Sequence, residues 1–257
     1  MTTILINDFI IVLLIFLRIA AAMFAAPVLG NKALPFLVKI FLSIFIAYLV
    51  FLVINTSQIT IELNMWFLVL NAFKEILTGL IFGFMLNFIF YGILFAGTLM
   101  GFDIGITIAE MFNPAEGISG NPIGELLFFM TLLLYLLING HHYLIQSISY
   151  SFKIIPIGKF TFVQSAYDLL IKYSASVFII ALKIASPIMV SFFLIHIAEG
   201  IIARVIPQMQ IFFVTQPLKI ALGLFMLASL APFYVYIIKN LLYKYEDQLF
   251  NMIKAMS

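Results

Sequence analysis

LNMWFLVLNAFKEILTGLIFGFMLNFIFYGILFAGTLMGF, residues 63–102, carries only two charged side chains, Lys74 and Glu75. As one helix it would be about 60 Å long at 1.5 Å per residue, twice the roughly 30 Å of hydrocarbon in a bilayer. The stretch is therefore expected to bend, to reach well beyond the bilayer, or to lie outside an ordinary bilayer geometry.

The rest of the chain is built in the same way. Of 257 residues, 65% are hydrophobic and 9% charged, and the mean hydropathy is +1.21. A typical soluble domain is about 25% charged, so the polar side chains here are too few to clothe a globule. Lipid or partner subunits must cover part of the surface. Apolar segments run from Phe9 to Leu29, from Leu34 to Ile54, and from Leu126 to Phe152 with a break at Asn139, Gly140, His141 and His142. Two more run from Tyr173 to Ala198 and from Ile211 to about Leu242, with prolines at 187, 217 and 232. Asn55–Asn64, Asp103–Glu125 and Glu199–Gln210 read as polar connectors, and Lys239–Lys254 as a charged tail. No alternation of the barrel type is present. The expected fold is all-α, a single multi-span membrane domain over residues 1–257 with about six hydrophobic segments in long, kinked helical hairpins.

Ala20–Ala26 contains the small-residue pattern of a signal cleavage site. Met1–Asp8 has no Lys or Arg, however, and Arg18 falls in the would-be apolar core, so a retained span is expected. With six spans, the loop at Pro156 and the tail share a side holding Lys153, Lys159, Lys172, Lys244 and Lys254, against Lys32 and Arg204 opposite. That asymmetry favours cytoplasmic termini.

The net charge of +2 and the lack of a basic stripe argue against nucleic acid, and with no cysteine there are no thiolate metal sites or thiol nucleophiles. G-x-S-x-G, H-E-x-x-H and Walker motifs are absent. No catalytic residue, metal or cofactor is expected.

Four sets of residues could carry function. Gly79 and Gly83, and Gly97, Gly101 and Gly105, recur every four residues, which lets another helix approach closely, within the chain or in a partner. Arg18, Lys39, Lys74, Glu75, Lys183, Glu199 and Arg204 fall in or beside apolar stretches. Such charges pair, face water or face a partner; a proton relay is the sharper reading, pairing within an assembly the duller one. His196-x-x-Glu199, with His141 and His142, admits a metal site only if three or four ligands converge. The fourth set is the glycine- and proline-rich segment 103–125, where Met111, Phe112, Asn113 and Pro114 stand between glycines. Such a backbone at membrane depth must be buried by protein or bathed by water, so it is either an occluding loop or a surface loop.

Glu199-Gly200-Ile201-Ile202-Ala203-Arg204-Val205-Ile206-Pro207-Gln208-Met209-Gln210, continued by Pro217, Lys219 and Gly223, resembles the C-terminal signature of the FliR family of flagellar type III export-gate proteins. The likeness extends in order along the chain. Arg18, Pro27, Gly30 and Pro35 resemble the first hairpin; Lys74-Glu75 with Gly79 and Gly83 the next block; Ala96-Gly97, Gly101 and Asn113-Pro114 the approach to a long loop. Gly140-His141-His142, Ser151-Phe152 and Pro156-Ile157-Gly158 complete it.

The resemblance implies a subunit of a helical, pore-forming export gate in the bacterial inner membrane, at the centre of the flagellar basal body. FliP-like and FliQ-like subunits would be its neighbours, with FlhA-like and FlhB-like components nearby and unfolded flagellar proteins as cargo. It implies helices raised out of the bilayer plane, which would account for residues 63–102 and weaken the orientation drawn from charge. It also implies a plug loop at 105–121, with Ile106, Met111, Phe112, Asn113 and Pro114 facing the pore. The equivalent subunit of a virulence secretion system is a close alternative. An ion-coupled transporter using Lys74, Glu75 or Glu199, and a metal-dependent intramembrane hydrolase, are the readings from other classes.

Overall fold

The computed structural model describes residues 2–31, 34–54, 64–106, 121–161, 163–208 and 210–256. Among them the regular structure is helical: α1 Thr2–Ala25, α2 Phe36–Val53, α3 Met65–Ile104, α4 Pro122–Leu137, α5 Gly140–Ile154, α6 Gln164–Val205 and α7 Ile211–Ala255. Five helices are long and apolar enough to cross a membrane, and α4 with α5 makes a sixth if the two form one broken span. The chain is a multi-span, all-α membrane protein.

The 40 residues of α3 form one uninterrupted helix, about 60 Å in contour length at 1.5 Å per residue. Several boundaries differ from the sequence reading: α1 starts at Thr2, α4 at Pro122 and α6 at Gln164, each earlier than the apolar run alone placed it. The connector expected from Glu199 is helical to Val205, because nothing in Glu199–Arg204 removes a backbone donor and the chain turns only at Ile206 and Pro207. The tail expected after Leu242 is helical to Ala255. Its charges are exposed or half-buried, while Leu242, Tyr245, Leu249 and Met252 are buried. That i, i+3, i+7, i+10 spacing is one helix face; the charge count alone hid it.

Pro187 cannot donate to the carbonyl four residues earlier. Ser186 Oγ donates to that Lys183 oxygen instead, at 3.1 Å, so α6 continues through the proline. The break between α4 and α5 falls at Asn139, a left-handed residue at φ 59°, ψ 27°, a conformation that asparagine tolerates better than most side chains.

The chain divides into two compact units. The first comprises Met1–Phe88, Ile138–Ser174 and Leu242–Ser257. Here α1 and α2 form a hairpin: Phe24 and Phe36 have ring centroids 5.5 Å apart, Ser43 Oγ reaches Met23 Sδ at 3.3 Å, and Lys39 Nζ donates to Gly30 O at 2.9 Å. α3 seats on α1 through Gly79 and Gly83. A Cβ at Gly79 would strike the Arg18 carbonyl and come within 2.9 Å of Ala21 Cβ; one at Gly83 would strike Ala25 Cβ. Asn87 Nδ2 donates to the Ala25 carbonyl one turn on.

The second unit comprises Ile89–Leu137 and Ala175–Leu241. Its centre holds Phe90, Ile93, Met100, Ile184, Phe192 and Tyr234, all buried. α3 meets α4 at Gly97, where a Cβ would strike Gly124 Cα and lie 2.5 Å from its nitrogen. At Gly101 a Cβ would meet the Asn121 amide. Both glycine series thus close seams within this chain. Gly97→Leu and Gly101→Leu are each expected to cost about 1–3 kcal/mol or more through overpacking. The check is thermal unfolding of the purified chain in detergent; an unchanged midpoint would mean these contacts are not tight.

Candidate functional site

The ends of the segment read as a candidate plug are both fixed. α3 stops at Gly105, which takes φ +89° and donates its N–H to the Gly101 carbonyl at 3.0 Å. A left-handed glycine just past the last turn is a common helix stop. Gln216 Nε2, on α7, donates to the Gly105 carbonyl at 3.0 Å and packs where a Cβ would stand, and Gly223 of α7 leaves room for Ile104. At the far end Asn121 caps α4. Its Oδ1 accepts the Ile123 N–H at 2.9 Å, with Pro122 at the first helical position. Its Nδ2 donates back to Gly97 O at 2.9 Å and Thr98 O at 3.3 Å. The loop therefore leaves α3 at Gly105 and returns to the same helix at Gly97 and Thr98, about two turns below. Ile106 is half-buried beside this root. Met111, Phe112, Asn113 and Pro114 lie outside the described residues. Asn121 had a sequence signal, an Asn-Pro step before an apolar run; Gln216 had none.

In the first unit the expected charges converge. Arg18 and Glu75 are completely buried, with Arg18 Nε 2.6 Å from Glu75 Oε2. Arg18 also donates to Ser151 Oγ at 3.1 Å and, from both terminal nitrogens, to the Ile155 carbonyl at 3.2 Å, and its guanidinium lies 4.0 Å over the Phe152 ring. The second carboxylate oxygen of Glu75 accepts the Gly158 N–H at 2.8 Å, and Lys74 Nζ donates to the Gly158 carbonyl at 3.1 Å. Gly158 has φ +76° and abuts Asn71, so a side chain there would be strained twice over. Arg18, Lys74-Glu75, Ser151-Phe152 and Gly158 are far apart in sequence and become one network. A guanidinium and a carboxylate so dehydrated persist only when their remaining donors and acceptors are filled, and here backbone and hydroxyl groups fill them.

A second charged group lies in the other unit. Lys219 Nζ is 2.7 Å from Glu199 Oε2, and His196 Nδ1 shares that oxygen at 3.2 Å. Lys219, which the sequence placed inside an apolar segment without singling it out, is only 5% exposed. His196, Asp103 and Phe193 line an open pocket of about 310 Å³. The His141 and His142 rings touch in a tilted arrangement, with centroids 4.1 Å apart and planes at 46°. Among the described residues no group of three or more His, Asp or Glu side chains is placed to hold a metal ion. Arg204 and Lys183 are exposed on α6, so this chain by itself does not bury them, and of the roles open to such charges they keep those that face water or a partner. His196→Ala leaves the Lys219–Glu199 pair in place and removes a half-exposed partner, so it is expected to change stability by less than about 1 kcal/mol. Complete loss of folded chain would contradict this and reopen the metal reading.

Five long apolar helices, with α4 and α5 as a sixth span if the two are one broken span, define a polytopic membrane protein. The chain belongs to the bacterial export proteins, family 1, whose model matches residues 9–245. It is similar to the flagellar biosynthetic protein FliR of Bacillus subtilis strain 168, at 34% identity over 219 residues, covering 84% of this chain and 83% of that protein. The FliR proteins of Pectobacterium carotovorum (30% over 244 residues, 94% and 92%) and Escherichia coli K12 (28% over 216 residues, 84% and 82%) are similar over comparable spans.

Proposed function

We propose that this chain is the FliR-type subunit of a flagellar type III protein export gate, acting as a non-enzymatic part of the conduit for unfolded flagellar proteins. The observation that carries this is the unbroken match to an export-protein family over residues 9–245, with relatives bearing the FliR name across more than four-fifths of their length. The same match supports reading residues 1–257 as a single family domain. The gate sits in the bacterial inner membrane at the flagellar basal body, with FliP-like and FliQ-like subunits as direct partners and FlhA-like and FlhB-like components beside it. The apolar faces of α2, α6 and α7 remain exposed, as at Phe41, Phe45, Phe193, Phe225 and Tyr236, which fits a subunit covered by lipid and neighbours.

The loop between α3 and α4 is the plug of this gate. Bulky apolar tips at a constriction exclude water and ions, and Gly105 and Asn121 fix the two roots of the loop. Gly97, where α3 closes on Gly124 of α4, holds together the two helices between which the loop runs.

Deleting the gene for this chain is expected to abolish both filaments and the release of hook and filament proteins into the medium, with restoration by a plasmid copy. Normal filaments in the deletion strain would refute the reading.

A further inference from the structure

We infer that the groove between α2 and α5 is a binding site for an anionic phospholipid. The groove, about 680 Å³ in volume, lies wholly within the first unit and is closed at one side by Phe250 of α7. Pockets that hold small molecules are typically about 300–1,000 Å³.

Its two long walls differ in chemistry. On α2 the lining is aliphatic: Ile46, Leu49, Val50 and Val53, at i, i+3, i+4 and i+7, a single helix stripe. On α5 the polar side chains His142, Gln146, Ser149 and Lys153 line it at i, i+4, i+7 and i+11, again one stripe, with Ile145 and Tyr150 beside them. Among the described residues, Gln146 and Lys153 make no hydrogen bond or ion pair, and the lining contains no acidic side chain. Lys153 is thus a cation without a counter-ion at the rim of an apolar slot.

Polar groups left unsatisfied in hydrocarbon are costly, and a cation there takes an anionic partner or reaches the interface. A purely apolar occupant, such as another helix face, would leave Gln146 and Lys153 unpaired; a purely ionic one would waste the aliphatic wall. An amphiphile with an acyl chain and a phosphate satisfies both. The placement agrees: Val53 is the last residue of α2 and Lys153 lies in the last turn of α5, so the cation stands where these helices end. In the bound arrangement the acyl chain lies along Leu49 and Val53. The phosphate accepts from Lys153, and Gln146 and Ser149 supply neutral donors. Basic pockets between transmembrane helices bind anionic head groups on the same principle.

This inference rests on the membrane architecture and not on the export-gate proposal, so the two can fail separately. The test is native mass spectrometry of the full chain, purified in detergent, stripped of lipid and incubated with phosphatidylglycerol or with phosphatidylcholine of matched acyl chains. Phosphatidylglycerol is expected to be retained on the wild type at least about tenfold better than phosphatidylcholine, about 1.4 kcal/mol. Lys153→Glu is expected to abolish that preference, and Val53→Trp, which fills the slot, to lower retention of both lipids. Circular dichroism on each variant separates loss of a site from loss of fold. Equal retention of the two lipids by the wild type would overturn the proposal, as would undiminished preference in a folded Lys153→Glu chain. A cross-link from Gln146→Cys to a partner subunit in the purified complex would also overturn it, by assigning the groove to protein.

Discussion

Glu75→Gln, with Arg18 left in place, is expected to destabilise the chain by about 3–5 kcal/mol, the usual cost of stripping one partner from a buried ion pair. The guanidinium would keep its bonds to Ser151 and Ile155 but lose the charge 2.6 Å away, with no water to replace it. Arg18→Met should do comparable damage, because it leaves the Glu75 carboxylate buried with only the Gly158 N–H. Replacing both, as Arg18→Met with Glu75→Leu, should be less harmful than either single change, since no isolated charge remains. The double variant stays below wild type because the Ile155 carbonyl and the Gly158 N–H lose their partners. The measurement is a double-mutant cycle from thermal unfolding in detergent. Single variants with wild-type midpoints would mean that the network is hydrated and does not set the packing of α1, α3 and α5. A proton-relay role for Glu75 predicts the opposite balance: Glu75→Gln would fold normally and fail only in transport.

Deleting Met111–Pro114 is expected to make membranes that carry the assembled gate leak ions. Its roots at Gly105 and Asn121 would remain anchored to α7 and α3 by the same hydrogen bonds, so the shortened loop should still be presented but no longer fill the constriction. A barrier of only about 3 kcal/mol corresponds to roughly a hundredfold in flux, at about 1.4 kcal/mol per factor of ten. Planar-bilayer conductance of the purified complex reads this directly. Background conductance from the deleted complex, with subunit composition intact, would show that the loop is not the plug.

The membrane class and the helical fold were legible because both depend on additive properties, apolar run length and the shortage of charge. The coarse site was legible in part. The charges at 18 and 75 stood out because they break apolar runs, and the glycines because they recur every four residues. Their pairings were not, since the contacts of Arg18 with Ser151 and Ile155 join positions more than 130 residues apart, and no local periodicity records such a distance. Whether the Gly97 seam lay within the chain or between subunits was equally hidden, because a small residue signals close approach without naming what approaches. The extension of α7 to Ala255 was missed for a different reason: Lys and Glu are good helix formers, and the buried stripe beneath them is visible only when hydrophobic spacing is weighed ahead of charge. Lys219 was passed over because its partner, Glu199, lies on another helix.

The most direct test of the central claim is native mass spectrometry of this chain, affinity-tagged and co-expressed with the FliP-like and FliQ-like proteins of its own organism. The account predicts one stable complex containing all three kinds of subunit, with this chain at a fixed stoichiometry. A lone monomer, or a homodimer without the other two, would contradict it.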